Sequence, residues 1–549
     1  MTTHVTDPPS DVGAPDVLVG AEPVSAPESV ARRSARAAWI GLGALGIMAL
    51  AVFWAFEALP FMDLPAHAGL IAMRHRFAES AFEQRFYVLA PHIGPYSLFR
   101  FLGEVFVRVI GPINAVRVLA TLPVVATPLA LLYARRRLFD DKTPTYGYIG
   151  LALSFGFMTL MGFASYLLGV AVMLFGLTRW LELLAATDEG EDVKRREIAM
   201  AIVAPAIFVA HGHAFVLFLL CAFVSAASTG RRIARFVRLR ALAPAVGLAA
   251  WVAWIERGTA TPEGSVPVVP QLVPLFRGFA EKVELLVTPT LMTRSGIDFM
   301  LAIAFWVVAL ACAFYSVRAL VRGRRASLPP AEVRHSAALH ACAGALTVLF
   351  VALPHVVGWF GFVDGRLLPL ILVMVLVGAR RRTLPRPLAA TIDVGAPLAA
   401  GAVASVALVA SFFFQREAVG YREVLARVPA QATLLNLPLD PDSDVFTAHP
   451  FIHYDKLVLA DRPVLVSDVW FHQGSALYPT RENPALNLPP SYSESDLKLI
   501  EWPAYRLDDW DYVLIRTRVT SSQPYTPDAL TLEQHIGGWW LFRRANTAR

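Results

Sequence analysis

The sequence predicts a polytopic α-helical membrane protein of about 11 transmembrane helices, with a C-terminal extracytoplasmic α/β domain. Three observations carry that prediction. The 549 residues are 56% hydrophobic and 17% charged, with a mean hydropathy of +0.51, whereas soluble domains run to roughly 45–50% apolar and about 25% charged residues. The apolar residues stand in long blocks. Arginines cluster between those blocks on alternate sides, the pattern that sets membrane orientation. The net charge of +6 arises largely there; it is no nucleic-acid footprint, and no nucleic-acid partner is expected. Cys221, Cys312 and Cys342 all lie inside apolar blocks, which leaves no disulfide framework or thiol metal site outside the membrane.

Residues 1–36 read as a disordered cytoplasmic tail, because residues 1–31 hold five acidic residues, repeated prolines and no Lys or Arg. Such a segment cannot bury enough apolar surface to offset its ordering entropy. Residues 37–414 form the transmembrane region. Its first span, Ala37 to Leu59, starts too far into the chain for a cleaved signal peptide. Ten more spans fall at 115–134, 145–163, 165–185, 198–211, 213–229, 241–256, 298–318, 336–356, 367–379 and 391–414. The loops on the N-terminal side of this layout carry 24 Lys and Arg against ten on the other. That bias puts the N-terminus in the cytoplasm and the C-terminus outside. Residues 415–549 have 17 acidic against 13 basic residues and short apolar runs at 432–437, 457–460, 464–466, 512–515 and 539–542. Runs of that length between turn residues predict strands. The tail aromatics, among them Trp470, Phe471, Tyr478, Trp502, Trp510 and Trp539, fit core packing better than a sugar surface.

The long first external loop, 60–114, is the most informative segment, since a plain connector needs only a few residues. It predicts two amphipathic helices lying on the membrane surface, with Phe77, Phe82, Phe86 and Tyr87 toward lipid. It opens Asp63-Leu64-Pro65-Ala66-His67. Asp63 reads either as a helix N-cap or as a carboxylate at the membrane boundary acting as general base or metal ligand. His67 falls one turn on, on the same face. Arg74 and His92 are further candidate substrate contacts in this loop.

A second cluster lies where other spans reach the same face. His211 and His213 form a hairpin tip, either as interfacial imidazoles or as cavity groups. His355 ends another span and is followed by Trp359, Phe360, Asp364 and Arg366. The two aromatics fit an interfacial belt. Arg366 reads either as a helix-end arginine paired with Asp364 or as a fork clamping a phosphate.

Other motifs fail. Asp440, Asp442 and Asp444 have calcium-loop spacing, but Val445 and Phe451 stand where Gly and Glu are required. His449 and His453 are four apart in a Pro-broken segment with no Glu after the first, so they make no zincin helix. The chain has no Walker A, GxGxxG or GxSxG sequence.

This layout resembles the GT-C superfamily of integral-membrane glycosyltransferases, which take sugars from polyprenyl-phosphate carriers. Asp63-Leu64-Pro65-Ala66-His67 is similar to the acidic motif of that family's first loop, and Asp364-Gly365-Arg366-Leu367-Leu368-Pro369 to the stretch opening a late span. The tail segments 511–516 and 538–542 resemble those of bacterial members. The resemblance implies that Asp63 deprotonates the acceptor hydroxyl or helps hold a divalent cation, Mg or Mn, and that Arg366 binds the donor's phosphate. Leu64 follows Asp63 where many members carry a second acidic residue. The implied partners are a polyprenyl-phosphate sugar donor, membrane lipids, and an envelope glycan, lipid or protein acceptor. The competing classes are a non-catalytic membrane scaffold and a transporter of lipid-linked substrates. Convergence of Asp63, Arg366 and His211 on one cavity favours the enzyme, and wide separation favours the scaffold.

Overall fold

The computed structural model describes residues 28–89, 94–228, 232–258, 263–266, 273–323, 330–358, 360–469 and 477–545. The apolar blocks become helices, the one spanning structure that satisfies its backbone within a single segment. In chain order they begin with α1 (Glu28–Trp54), α2 (Leu64–Arg76), α3 (Ala81–Phe86), α4 (Ser97–Phe139), α5 (Thr145–Leu153), α6 (Phe157–Leu160), α7 (Ala164–Glu189), α8 (Lys194–Ala210) and α9 (Gly212–Ser228). There follow α10 (Arg232–Val237), α11 (Ala243–Gly258), α12 (Phe279–Glu284), α13 (Ile297–Gly323), α14 (Ala331–Ala352), α15 (Leu367–Gly378) and α16 (Arg386–Ala418).

Among the described residues, seven stretches are long and apolar enough to cross a membrane: 33–54, 97–139, 164–189, 233–255, 297–322, 331–352 and 386–418. All 11 predicted blocks contain helix, but four fall short of that length. α9 and α15 are shorter apolar helices, α8 has 17 residues, and the block at 145–163 breaks between α5 and α6. There the Ser154 hydroxyl donates to the Gly150 carbonyl and Phe157 N donates across to Thr288 O at 2.9 Å; such back-bonding competes with the helical ladder. At the other extreme, α4 runs 43 residues across a kink at Gly111 (φ 76°, ψ 169°). Only glycine adopts that conformation readily, and Pro112 beyond it cannot continue the hydrogen-bond ladder. The predicted tail boundary moves as well: α1 starts at Glu28, and residues 1–27 lie outside the described residues.

The C-terminal region holds α17 (Tyr421–Leu425), α18 (Leu457–Asp461) and most of the strands. These are β1 (Tyr87–Leu89), β2 (Pro274–Leu275), β3 (Val356–Val357), β4 (Thr433–Pro438), β5 (Leu465–Val466), β6 (Leu477–Pro479), β7 (Tyr512–Arg516), β8 (Leu530–Ile536) and β9 (Trp539–Arg544). One five-stranded sheet runs β5-β4-β7-β9-β8. β4 is parallel to both β5 and β7, while β9 is antiparallel to β7 and β8. The predicted strand at 457–460 is helix α18 instead. Two parallel strands need a crossover connection, and α18 supplies it between β4 and β5.

The first loop does not lie on the membrane surface as two lipid-facing helices. α2 is largely buried between α4 and α18. Phe86 and Tyr87, 6% and 1% exposed, turn toward the C-terminal domain, where β1 pairs with β6 through Tyr87 and Pro479. Gly69 makes the α2–α18 approach possible: an added Cβ would stand 2.7 Å from the Lys456 carbonyl oxygen. Arg76 fastens the far end of α2, donating to Glu83 and to the carbonyls of Leu459 and Arg462. Trp502, Trp510 and Trp539 are core residues; Trp470 and Phe471 lie outside the described residues.

Candidate active site

Asp63 sits at the N-cap position of α2 but makes no capping hydrogen bond with its side chain. Its position is set from the backbone: Met62 N and Asp63 N donate to the carbonyls of Leu160 and Met161 at 2.9 and 3.2 Å. Gly162 (φ 77°) allows that approach, because a Cβ there would come 2.7 Å from Asp63 N. The carboxylate is thereby left to the interior. His67, Leu70, Ile71 and Arg74 follow at helical spacing, and with Asp63 they line one wall of a cavity of about 320 Å³. The opposite walls come from Tyr96, Phe99, Arg100 and Glu104 around α4, Phe163 just before α7 and Tyr166 within it, His211, and Phe360, Gly361, Phe362 and Arg366.

Arg366 precedes α15. Its guanidinium stands 4.4, 5.1 and 4.1 Å from the rings of Phe163, Tyr166 and Phe360. It donates to the Gly361 carbonyl at 2.9 Å, and its Nε is buried without a partner. Burial lowers its affinity for its proton, although the Tyr166, Tyr96 and Asp63 groups pull the other way. The residue is 5% exposed. Arg366 makes no pair with Asp364, whose carboxylate accepts instead from His355 Nδ1 at 2.7 Å, Gly365 N at 2.7 Å and Lys282 Nζ at 3.1 Å. Burial acts to raise the Asp364 carboxyl, but donation from His355 and Lys282 outweighs it and holds the group below the usual range. Asp364 and His355 therefore do not line the cavity; they anchor the turn that presents Arg366.

His211 caps the end of α8 in extended conformation. Its Nδ1 accepts from His213 N at 3.2 Å, so in the neutral ring the proton is on Nε2. Tyr96, in left-handed conformation (φ 70°), packs its ring 4.7 Å from His211. His213 stays outside the lining, between Tyr166 and Phe360. His92 and Trp359 lie outside the described residues.

Behind Asp63 stands a group that the sequence reading did not single out. His453 Nε2 lies 3.6 Å from Asp63 Oδ1, and its Nδ1 lies 3.1 Å from Glu494 Oε2. Glu494 in turn accepts from Lys456 Nζ at 2.8 and 2.9 Å and from Asn436 Nδ2 at 3.1 Å. Burial works to raise Glu494, but Lys456 and His453 overcome it and keep the carboxylate ionised. An ionised carboxylate only accepts, so the His453 proton is on Nδ1 and Nε2 offers a lone pair toward Asp63. Burial pushes the Asp63 carboxyl up to about 8, against the charges of Arg366 and Lys456. Burial, with His453 adding to it, brings His67 down to about 3. Among the described residues no group of three His, Cys, Asp or Glu side chains could hold a metal ion, so the divalent cation implied by the resemblance finds no ligand set there.

No family model matches the chain, and no curated protein matches it. Among solved structures it is similar to ArnT from Cupriavidus metallidurans bound to undecaprenyl phosphate, at 11% identity and TM-score 0.49, over 92% of this chain and 98% of that one. It is also similar to the oligosaccharyltransferase AglB from Archaeoglobus fulgidus in complex with an inhibitory peptide and a dolichol-phosphate, at 13% identity and TM-score 0.44, over 87% and 69%. A third is the arabinofuranosyltransferase AftD from Mycobacteria, at 14% identity and TM-score 0.47, over 92% and 40%.

Proposed function

We propose that the protein is a GT-C type membrane glycosyltransferase. It moves a sugar from a polyprenyl-phosphate donor to an envelope glycan, lipid or protein acceptor on the extracytoplasmic face. The observation that carries this reading is the meeting of Asp63, His67, Arg74, His211 and Arg366, drawn from separate stretches of chain, around one cavity. A scaffold has no use for a caged, carboxylate-free arginine facing a carboxylate across a pocket. A transporter would place such groups near the middle of its spans, whereas these stand at helix ends. The arginine bias of the loops assigns that end to the outside.

In the reaction the acceptor oxygen attacks the anomeric carbon and its proton passes to the Asp63 carboxylate. The bond from the anomeric carbon to the phosphate oxygen breaks, and the electron pair leaves on the phosphate. Arg366 meets that developing charge with a planar fork in a water-poor site, where such stabilisation is strongest. His67, kept neutral by burial, adds no competing charge beside the base. Asp63 then gives its proton up to water, with His453, whose Nε2 lies 3.6 Å from Asp63 Oδ1, positioned to pass it on.

Native mass spectrometry of the protein in mild detergent tests the donor class. A retained polyprenyl phosphate or its glycosylated form is the expected result. Bulk phospholipid alone, even after addition of a synthetic polyprenyl-phosphate sugar, would overturn the reading.

The base assignment also fixes a pH profile. Asp63 must be deprotonated to act, so kcat/KM should fall with unit slope as pH drops below a limb near 8. His453→Gln should lower kcat about tenfold at unchanged KM and shift that limb. An unmoved limb and kcat would take His453 out of the proton path.

A further inference from the structure

α2 has a second cavity on its other side. Leu64, Pro65 and Ala68 line a space of about 300 Å³ together with Leu59, Ile113, Val116, Tyr421, Leu425, Tyr454, Leu457 and Val458. Its polar end holds Arg117, Arg422, Glu57 and Asp461. It lies where α1 has just ended and where α4, beyond its kink, enters its long apolar stretch, so it sits at the membrane boundary beneath α17 and α18. Arg117 is 9% exposed. Two hydrogen bonds from its Nη2, at 2.8 and 3.0 Å, go to the carbonyls of Phe56 and Glu57, and its Nε is buried without a partner. Glu57 is taken by Arg422, at 2.6 Å. Among the described residues no carboxylate pairs with Arg117. An unneutralised guanidinium at a membrane boundary is costly to keep; Arg117 lines the cavity, and a guanidinium suits phosphate oxygens.

We propose that this cavity binds the phosphate headgroup of an anionic membrane lipid, its phosphodiester on Arg117 with Arg422 at the rim and its glycerol and upper acyl carbons among Ile113, Val116 and Leu64. The site is separate from the cavity that holds Asp63 and does not depend on the function proposed for it. A lipid seated there would rest against the back of the helix that bears Asp63.

The test is thermal unfolding of the full chain in mild detergent, with phosphatidylglycerol, phosphatidylcholine or inorganic phosphate titrated in. Phosphatidylglycerol should raise the midpoint saturably, and the other two should not. Arg117→Gln should weaken that response about tenfold to a hundredfold, the range for one charge-assisted hydrogen bond. Because Arg117 also bonds backbone carbonyls, Arg422→Glu, a change at an exposed side chain, serves as the second variant and should weaken it similarly. Arg366→Gln should leave it unchanged. Equal responses in wild type and both variants would overturn the site. An equal effect of phosphatidylcholine would overturn the preference for an anionic lipid, and one of inorganic phosphate would overturn the lipid as the source.

Discussion

Asp63→Asn should cut turnover by about 10²–10⁴-fold, the usual contribution of a positioned general base, while leaving the fold intact. The two halves of this expectation have separate grounds. The fold survives because the side chain of Asp63 makes no capping bond, and the loop is fixed through backbone donors to Leu160 and Met161 that asparagine keeps. Asparagine also relieves a buried carboxyl whose ionisation burial opposes. Turnover fails because an amide has no basic oxygen for the acceptor's proton, and the limb near pH 8 should vanish with it. Rates measured on protein of unchanged melting temperature decide the matter. Normal transfer by a well-folded Asp63→Asn protein would sink the assignment.

Arg366→Met should abolish measurable binding of polyprenyl phosphate while leaving thermal stability equal or higher. Losing a buried, hydrogen-bonded charge partner typically costs about 2–5 kcal/mol, a factor of roughly 30 to several thousand in affinity. Stability should not fall, because among the described residues the Arg366 guanidinium has no carboxylate partner and one hydrogen bond to protein, while its Nε is buried and unpaired. Replacing such a charge with an apolar side chain of similar size is often neutral or stabilising. Arg366→Lys should not restore binding, since a point charge supplies neither the fork nor the stacking on Phe163 and Phe360. Lipid titration by native mass spectrometry and a melting curve on the same samples give both readings. A destabilised variant that still binds the lipid would mean that Arg366 is structural.

Much of the membrane region was legible because hydropathy acts over some twenty residues and needs no tertiary knowledge. The shared face of Asp63 and His67 followed from helical spacing, and the hairpin at His211 from two apolar blocks meeting there. Local pattern failed where distant chain decides. A four-residue apolar run at 457–460 fits strand or buried helix equally, and only the parallel pairing of β4 and β5 demands the helix. Phe86 and Tyr87 look lipid-facing until the domain at 477–479 pairs with them. In the sequence His453 stands out only as one of two histidines four apart in a segment that makes no zincin helix. The signal that could have found it was the density of polar residues in His453-Tyr454-Asp455-Lys456, beside apolar neighbours that bury them. Its partner Asp63 lies nearly 400 positions away, beyond the reach of any spacing rule.

The clamping of α2 by α18 also sets a timetable. The ribosome makes the helix bearing Asp63 early, but Glu494, which orients His453, comes more than 400 residues later. At about 5–20 residues per second that interval is roughly 20–90 s. Every residue that lines the cavity, up to Arg366, is made well before the end of that interval, but Gly69 has no neighbour to lean on until Lys456 and Leu459 emerge. The support behind Asp63, His453 with Glu494, is thus the last part of the site to mature, and a chain stalled or clipped after its final span would sit in the membrane with every cavity-lining residue made yet without that support.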